Sequence, residues 1–236
     1  MIENLDSKYT STGNYLIAFI DVLGIKNRIR NNLKETLELL WLINNFLLSS
    51  QNDNKELVVR SFSDNYIIAL KVNDNDFPEK LSLIFNVVGN LVSRGLYLYN
   101  CLLRGAITFG ELHIDDQIVL GPALVSAYQL ESEVATYPRI IIEKGLLSKK
   151  ITEASDRHND YTDYIFQDCD SKWCLNCLKF LQKNESVFRN NLKGHVISQI
   201  FEAERMGSES IKIKTQWLIN YVNSYYEQNY NFKLIK

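Results

Sequence analysis

The regular pattern of the chain begins with a continuous apolar run at residues 15–20, which is followed directly by Asp21. A short run without polar interruption is typical of a strand that is buried on both faces of a sheet. Residues 28–49 then repeat apolar side chains at helical spacing, which predicts an amphipathic helix. Its inward face is expected to hold Leu33, Leu37, Leu40, Trp41 and Leu47.

Two strand-like runs follow, at residues 57–62 and 65–70, and only Ser63 and Asp64 lie between them. So short a connection predicts a tight hairpin with Asp64 at its tip. A second amphipathic helix is predicted over about residues 79–97. Its inward face is expected to hold Leu81, Ile84, Phe85, Val88, Leu91 and Val92.

Three more strands and one more helix complete this half of the chain. Strands are predicted at residues 101–109, 117–120 and 139–142, and Gly121-Pro122 marks the start of a helix. The order is β-α-β-β-α-β-β-α-β, and its first part is the split βαβ arrangement of ferredoxin-like folds. We therefore predict an α+β fold, a ferredoxin-like palm with helices on one face of the sheet.

The polar stretch at residues 151–170 interrupts the pattern and predicts a linker or an exposed loop. Residues 171–236 are predicted to be helices with apolar faces. We expect a catalytic domain over residues 1–150 and a helical extension over residues 151–236 that supports packing or a dimer.

The composition is ordinary for a globular protein of one domain. The chain has 236 residues, of which 46% are hydrophobic and 23% charged, and its formal net charge is −2. No run of Lys and Arg indicates a nucleic-acid surface. Residues 1–14 lack the apolar core of a signal peptide, and no apolar run reaches the length of a bilayer span. We expect a cytoplasmic protein with reduced cysteines that binds neither nucleic acid nor membrane.

Asp21 and Asp64 are the residues around which chemistry is predicted. In a split βαβ sheet their strands are neighbours, so the two side chains are expected to converge at one edge. Converging carboxylates repel each other unless a cation lies between them. Magnesium prefers oxygen ligands and brings substrate phosphates with it, and two ions can activate a hydroxyl and stabilise a departing pyrophosphate. The alternative is that Asp64 is a turn residue and Asp21 a strand-end cap.

The residues after Asp21 suit a phosphate site. Gly24 lets the backbone approach a triphosphate closely, and the amides of Val22, Leu23, Gly24 and Ile25 lie at the start of the first helix. We expect these amides to bind phosphate oxygens. The compatible alternative is a simple glycine at a strand-to-helix turn.

Four segments resemble the class III nucleotide cyclases, in the order of that family. Residues 19–24 resemble its metal-binding start, and residues 60–64 are similar to its second metal segment. Residues 104–110 resemble the following strand and glycine, and residues 121–132 resemble a later helix. The segments span about residues 15–143, and their spacing also fits the family.

This resemblance implies a homodimer with its active sites at the subunit interface. It implies a nucleoside triphosphate substrate, a 3′,5′-cyclic nucleotide product and two Mg²⁺ or Mn²⁺ ions. The metal-binding residues would be Asp21, Ile20 and Asp64. A second messenger of this kind implies a separate downstream effector.

The later helix departs from the family, whose Asn and Arg stabilise the transition state. Those positions are Val125 and Gln129 here. An Arg that faces the triphosphate is worth several kcal/mol of barrier, so its loss means low activity, a substitute or no cyclisation. Arg104 and Arg139 are the candidate substitutes, and the alternative for each is a structural Arg.

The base-recognition positions also depart. Adenylate cyclases resemble one another in a Lys at the position of Arg60 and in an Asp at that of Ile118. An Arg without an acidic partner suits carbonyl-rich base edges. We therefore expect uracil, or else guanine, and a pyrimidine cyclase of bacterial anti-phage signalling. The alternative for Arg60 is a surface Arg.

Three functions follow from these residues. The first is a metal-dependent cyclase that makes a 3′,5′-cyclic nucleotide. The second is a palm polymerase that makes cyclic dinucleotides or short oligonucleotides. The third is a catalytically silent nucleotide-binding sensor, which Val125, Gln129 and Ile118 favour.

Overall fold

The fold is known from a computed structural model that describes residues 11–73, 75–147, 161–180 and 185–235. Its strands are β1 (Thr12–Val22), β2 (Leu57–Phe62), β3 (Asn65–Lys71), β4 (Leu103–Ile114), β5 (Val119–Leu120), β6 (Ile140–Ile142), β7 (Ile165–Gln167) and β8 (Trp173–Leu175). Its helices of seven residues or more are α1 (Ile25–Asn31), α2 (Leu33–Asp53), α3 (Phe77–Tyr97), α4 (Pro122–Gln129), α5 (Glu185–Met206) and α6 (Glu209–Tyr230).

One sheet runs through the described residues in the order β2-β3-β1-β4-β6-β8-β7, with β5 paired to β4. Strand β1 lies between β3 and β4 and is antiparallel to both. The order β2-β3-β1-β4 is that of the split βαβ arrangement. The predicted α+β palm is therefore confirmed, and β6 extends it in parallel to β4.

The two faces of the sheet are covered differently, because the side chains of β1 alternate between them. Leu16, Ala18 and Ile20 belong to the core formed with the long helices α2 and α3. Tyr15, Ile17 and Phe19 belong to a second core with Ala123 and Ala127 of the short helix α4. The long helices thus share one face, as predicted, while α4 covers part of the other.

The first predicted helix differs from the observed one in continuity and in phase. It is divided at Asn32, whose side chain accepts a hydrogen bond from the Glu35 amide at 3.2 Å and caps α2. Leu33, Leu37 and Trp41 are exposed, Trp41 to 65%, so their prediction as core residues is wrong. The buried positions of α2 are Thr36, Leu39, Ile43 and Leu47. The sequence is apolar on more than one side of this helix, so spacing alone does not identify the inward face.

The second predicted helix and the hairpin are confirmed. All six predicted inward residues of α3 are buried. The hairpin of β2 and β3 pairs Phe62 with Asn65 across Ser63 and Asp64, as its two-residue connection predicts.

The C-terminal third contains strands that were not predicted. Trp173–Leu175 lies in the segment predicted to be helical, and it forms β8, where Cys174 pairs with Ile141 of β6. Strand β7 lies in the predicted linker and pairs with β8. Three-residue strands show no periodicity, so pattern analysis misses them. Residues 148–160, and with them the predicted boundary near residue 150, lie outside the described residues.

Helices α5 and α6 form the predicted helical extension and pack against the end of α3. Trp217 and Leu218 of α6 belong to one core with Leu96 of α3 and Leu178. This contact brings α6 close to the beginning of β4. None of the helices in the described part of the chain combines the length and the apolar character needed to cross a bilayer.

Candidate active site at the end of strand β1

Asp21 and Asp64 lie at the same end of neighbouring strands of the sheet. Asp21 is the penultimate residue of β1, where it pairs with Asn65 of β3 on one side. The Val22 amide donates a hydrogen bond to the Asp64 carbonyl oxygen at 3.2 Å, which fixes the hairpin tip beside the end of β1. The Asp64 charge is close enough to help raise the pKa of Asp21.

The hairpin tip orients Asp64 through its neighbour. Ser63 has a φ of 59°, a left-handed conformation that is uncommon outside glycine and that lets two residues close the turn. The Ser63 hydroxyl donates to Asp64 Oδ1 at 2.9 Å. The Asp64 carboxylate is thereby held at the tip while remaining only partly buried.

Arg104 lies between two carboxylates. It pairs with Asp21 across β1 and β4, and its Nε lies 3.2 Å from Asp21 Oδ2. The same Nε lies 2.6 Å from Oε1 of Glu131. Glu131 belongs to a π-helical turn, Leu130–Val134, that directly follows α4.

Burial dominates the electrostatics of this cluster. It raises the pKa of Asp21, an effect that Arg104 opposes and Asp64 reinforces. Burial likewise raises the pKa of Glu131, against Arg104 and with a contribution from Asp21. On α6, burial and then Arg104 lower the pKa of Lys214, while Asp21 favours its charge. The cluster therefore contains three carboxyl groups and two basic side chains that influence one another's pKa.

Sequence reasoning missed Glu131 and Lys214 as members of this cluster. Glu131 lies in the cyclase-like segment, and an acid within that largely apolar helix was an available signal. Lys214 comes from the C-terminal extension, and no local pattern connects it with Asp21.

Only two of the four backbone amides that were predicted to bind phosphate remain candidates in the structure. The Val22 amide donates to Asp64, and the Leu23 amide donates to the Leu102 carbonyl oxygen at 2.9 Å. Neither amide is available to a phosphate in this arrangement, so the prediction is corrected for both. Gly24, with a φ of 79°, caps α1, and its amide and that of Ile25 lie at the helix terminus, where first-turn amides lack intrahelical partners.

Ile20 contributes no side-chain ligand to a metal site. Its side chain is fully buried in the core shared with the long helices. The residue lies between Tyr66 of β3 and Gly105 of β4 in the sheet. Any metal contact of Ile20 is restricted to its main-chain oxygen.

Arg60 has an acidic partner, contrary to the sequence expectation. Its terminal nitrogen donates to Asp116 Oδ1 at 2.7 Å, and its Nε donates to the Asp115 carbonyl oxygen at 3.0 Å. A third bond reaches the Val59 carbonyl oxygen at 2.9 Å. The inference of a carbonyl-rich base from an unpaired Arg60 therefore loses its basis. Asp116 is distant in sequence, so only the fold reveals this pair.

Arg139 is a structural residue and not a substitute for the missing catalytic Arg. Its side chain is 1% exposed and forms ion pairs with Asp168 and Asp170. The guanidinium also lies 4.9 Å from the centre of the Tyr137 ring, within the range of a cation–π contact. Both terminal nitrogens of the guanidinium are thus bonded to protein oxygens, and the buried side chain is not exposed to a substrate.

The two residues of α4 that differ from the cyclase pattern are exposed in the single chain. Val125 and Gln129 are exposed, and so is Ile118 near the β4–β5 turn. None of the three supplies a charge to the cluster around Asp21. Arg104 is the one predicted substitute that the structure brings to the site.

The available oxygen ligands fit a divalent cation whose coordination is completed by the substrate. Among the described residues, no group of three or more His, Cys, Asp or Glu is arranged to hold a metal ion by itself. Magnesium is commonly held by one or two carboxylates together with phosphates and water, which is what Asp21 and Asp64 offer. In the same cluster, buried Glu131 Oε1 has no aligned hydrogen bond from the described residues, although Arg104 lies close to it.

No protein-family model matches the chain, and no curated protein is significantly similar to it. Among solved structures, the chain is similar to the adenylyl cyclase CyaB from P. aeruginosa, with 13% identity, a TM-score of 0.49 and coverage of 66% of this chain and 83% of that one. It is also similar to the guanylyl cyclase Cya2, with 13% identity, a TM-score of 0.45 and coverage of 74% and 96%.

A third similar structure is the dimeric guanylyl cyclase domain of the RhoGC fusion protein from the aquatic fungus Blastocladiella emersonii. Its identity is 12%, its TM-score is 0.45, and the match covers 69% of this chain and 94% of that one. At these values the likeness assigns no activity. The assignment of a function therefore depends on the side chains at the end of β1.

Proposed function

We propose that the protein is a divalent-metal-dependent nucleotide cyclase that converts a nucleoside triphosphate into a 3′,5′-cyclic nucleotide. The position of Asp21 at the end of β1, beside the hairpin tip that carries Asp64, is the observation that supports this proposal. The electrostatic repulsion by which Asp64 contributes to the raised pKa of Asp21 supports it, because a divalent cation between the two carboxylates would relieve that repulsion.

Each group of residues at the site would have a separate role in this reaction. A divalent cation held by Asp21 and Asp64 would acidify the ribose 3′-hydroxyl and polarise the α-phosphate. The amides of Gly24 and Ile25 would donate to phosphate oxygens at the start of α1. Arg104 would donate to the charge that develops on the leaving pyrophosphate. The 3′-oxygen bonds to the α-phosphorus as the bond to pyrophosphate breaks, and the hydroxyl proton passes to solvent.

The test uses each of the four nucleoside triphosphates with Mn²⁺, and mass spectrometry of the products. Wild-type protein should release pyrophosphate and a cyclic mononucleotide. Asp64→Asn removes a metal-binding charge and should lower the turnover rate by about a hundred-fold. Asp53→Asn, an exposed substitution at the end of α2, serves as the matched control. An intact wild-type protein that turns over none of the four substrates would refute the proposal.

The base preference and the biological role are expected only from the resemblance to class III nucleotide cyclases. Because Arg60 is already paired with Asp116, its side chain gives no reason to expect one base over another. The four substrates are therefore compared directly. An anti-phage pyrimidine signal with its own effector stays a prediction, and a cyclic dinucleotide among the products would favour the palm-polymerase alternative.

We propose a homodimer that forms through the face carrying α4. Leu120, Val125 and Tyr128 are exposed apolar side chains on this face, and Leu120 is 66% exposed. Burying them against a second copy would bring another chain to the substituted positions of α4. Leu120→Asp should shift the mass measured by light scattering toward the monomer. Leu48→Asp on α2, which replaces another exposed leucine, should not.

Two observations favour a silent nucleotide-binding module as the second candidate. Arg104 partly neutralises Asp21, and the family's Asn and Arg are absent from α4. This candidate predicts that the protein binds a triphosphate without consuming it. Isothermal titration alongside the product assay separates binding from turnover.

A further inference from the structure

Helix α6 is fixed near the beginning of β6 through Trp217. The indole nitrogen of Trp217 donates to Asp168 Oδ2 at 2.7 Å, and the indole ring stacks on Tyr137 with 5.8 Å between the ring centres. Tyr137 lies three residues before β6, which begins opposite Gly105 of β4. Because Gly105 adjoins Arg104, this part of α6 lies at the end of the sheet that carries the candidate active site.

Lys214 lies one helical turn before Trp217 on the same side of α6, since residues three apart are neighbours on a helix surface. The residue is only partly exposed. Asp21 favours the charged form of Lys214, and Lys214 in turn opposes the burial that raises the pKa of Asp21. The contacts of the helix and this mutual electrostatic effect both place the ammonium group beside the cluster.

The two basic side chains of the cluster have donors that no described protein group uses. Arg104 approaches the carboxylates of Asp21 and Glu131 through Nε alone, and its terminal nitrogens have no acceptor in the described ranges. Within the same ranges, Lys214 forms no hydrogen bond or ion pair. Burial, and then Arg104, lowers the pKa of Lys214, so the two cations repel each other. An anion that contacts both would use these donors and relieve the repulsion.

We infer that Lys214 is a substrate-binding residue, which α6 supplies to the active site so that its ammonium group binds a phosphate of the triphosphate beside Arg104. This inference rests on the proposed cyclase function. It assigns to the C-terminal helix a cation that the cyclase-like helix α4 lacks at Gln129. A lysine suits this role because its ammonium group is a compact charge with three donors that can adjust to a phosphate. The helical extension is then part of the active site.

The first test measures binding of the Mn²⁺ complex of inorganic tripolyphosphate by isothermal titration calorimetry. This probe contains both metal and phosphates, so the test needs neither turnover nor a choice of base. Lys214→Met should weaken binding about 10-fold, the effect of losing one hydrogen bond to a charged group. Lys212→Met, which replaces an exposed lysine on the same helix, is the matched control and should bind as wild type does. Equal binding by wild type and Lys214→Met, or no binding by wild type, would overturn the inference.

Urea unfolding of the same variants shows whether the Lys214 charge is structural instead. Because the pKa of Lys214 is lowered in the folded protein, its charge opposes folding, and Lys214→Met should be at least as stable as wild type. Lys214→Arg keeps a positive charge and should retain most of the tripolyphosphate binding. If Lys214→Met unfolds at a lower urea concentration and yet binds tripolyphosphate as wild type does, Lys214 is a structural counter-charge of Asp21 and the inference is wrong.

The outcomes separate this inference from the proposed function. Weaker tripolyphosphate binding by Lys214→Met, with no nucleotide consumed by wild type, would support the phosphate site and refute the cyclase. Turnover by wild type with an unchanged KM for the triphosphate in Lys214→Met would support the cyclase and refute the role of Lys214.

Discussion

Gly105 is the position where a single methyl group should disturb both the fold and the site. It pairs with Ile20 on β1 and lies next to Arg104. A Cβ added there would lie 2.3 Å from the Phe19 carbonyl oxygen and 2.7 Å from Ile20 Cδ1. The first of these contacts is with backbone, so relief requires β1 and β4 to separate beside Asp21. Glycine therefore permits the close approach of the two central strands.

The cost of Gly105→Ala follows from this overlap. Forcing extra atoms into a packed interior costs about 1–3 kcal/mol. At about 2–4 °C per kcal/mol for a chain of this size, the melting temperature should fall by about 2–12 °C. Because the strands separate at Asp21, Mn²⁺ binding should weaken as well.

Differential scanning fluorimetry and urea unfolding measure this effect. Gly194→Ala is the matched control, because Gly194 is exposed within α5 and an added Cβ meets nothing within 4 Å. That variant should be more stable than wild type by about 0.4–1 kcal/mol, since alanine restricts the unfolded chain. A Gly105→Ala protein that melts within about 1 °C of wild type and binds Mn²⁺ normally would refute the reasoning.

Two further predictions concern the ion pairs of Arg139 and the hydrogen bonds of Asp115. Arg139→Leu leaves the acids at Asp168 and Asp170 without their cation and should lower the free energy of unfolding in urea by about 3 kcal/mol. Full stability with lost turnover would instead give Arg139 a direct role. The amides of Gln117 and Ile118, and then His113, lower the pKa of Asp115 to about 2. Because this folded-state pKa lies below the ordinary value of 3.8, the stabilisation is present above about pH 4 and is lost as the pH falls toward 2. The urea midpoint of Asp115→Asn should thus lie below that of wild type at pH 7, and the gap should narrow by pH 3; a constant gap would contradict this assignment.

The sequence predicted those parts of the molecule that local patterns determine. A buried strand that ends in Asp21 and a hairpin with a two-residue tip are both visible over a few positions, and the split βαβ order follows from them. Helix α2 was placed correctly but in the wrong phase, because Leu33, Leu37 and Trp41 compete with Leu39 and Ile43 for the inward face. Strands β7 and β8 are too short to show a period.

The ion pairs between charged residues could not be predicted from the sequence alone. In the sequence Arg60 has no visible acidic partner, because Asp116 lies on a turn that is distant along the chain. Arg139 was a candidate for substrate binding, because its partners Asp168 and Asp170 lie in the segment predicted to be a linker. Each pair exists because the sheet brings separate segments together. Lys214 joins the site for the same reason, through the packing of α6 against α3.

The most direct test of the central claim is a crystal structure with Mn²⁺ and a triphosphate analogue that does not react, using anomalous scattering to locate the metal. The account predicts a manganese peak between the carboxylates of Asp21 and Asp64, with ligand distances of about 2.1 Å and triphosphate oxygens completing the coordination. Arg104 should contact the phosphates. A bound analogue without metal between the two aspartates would contradict the account.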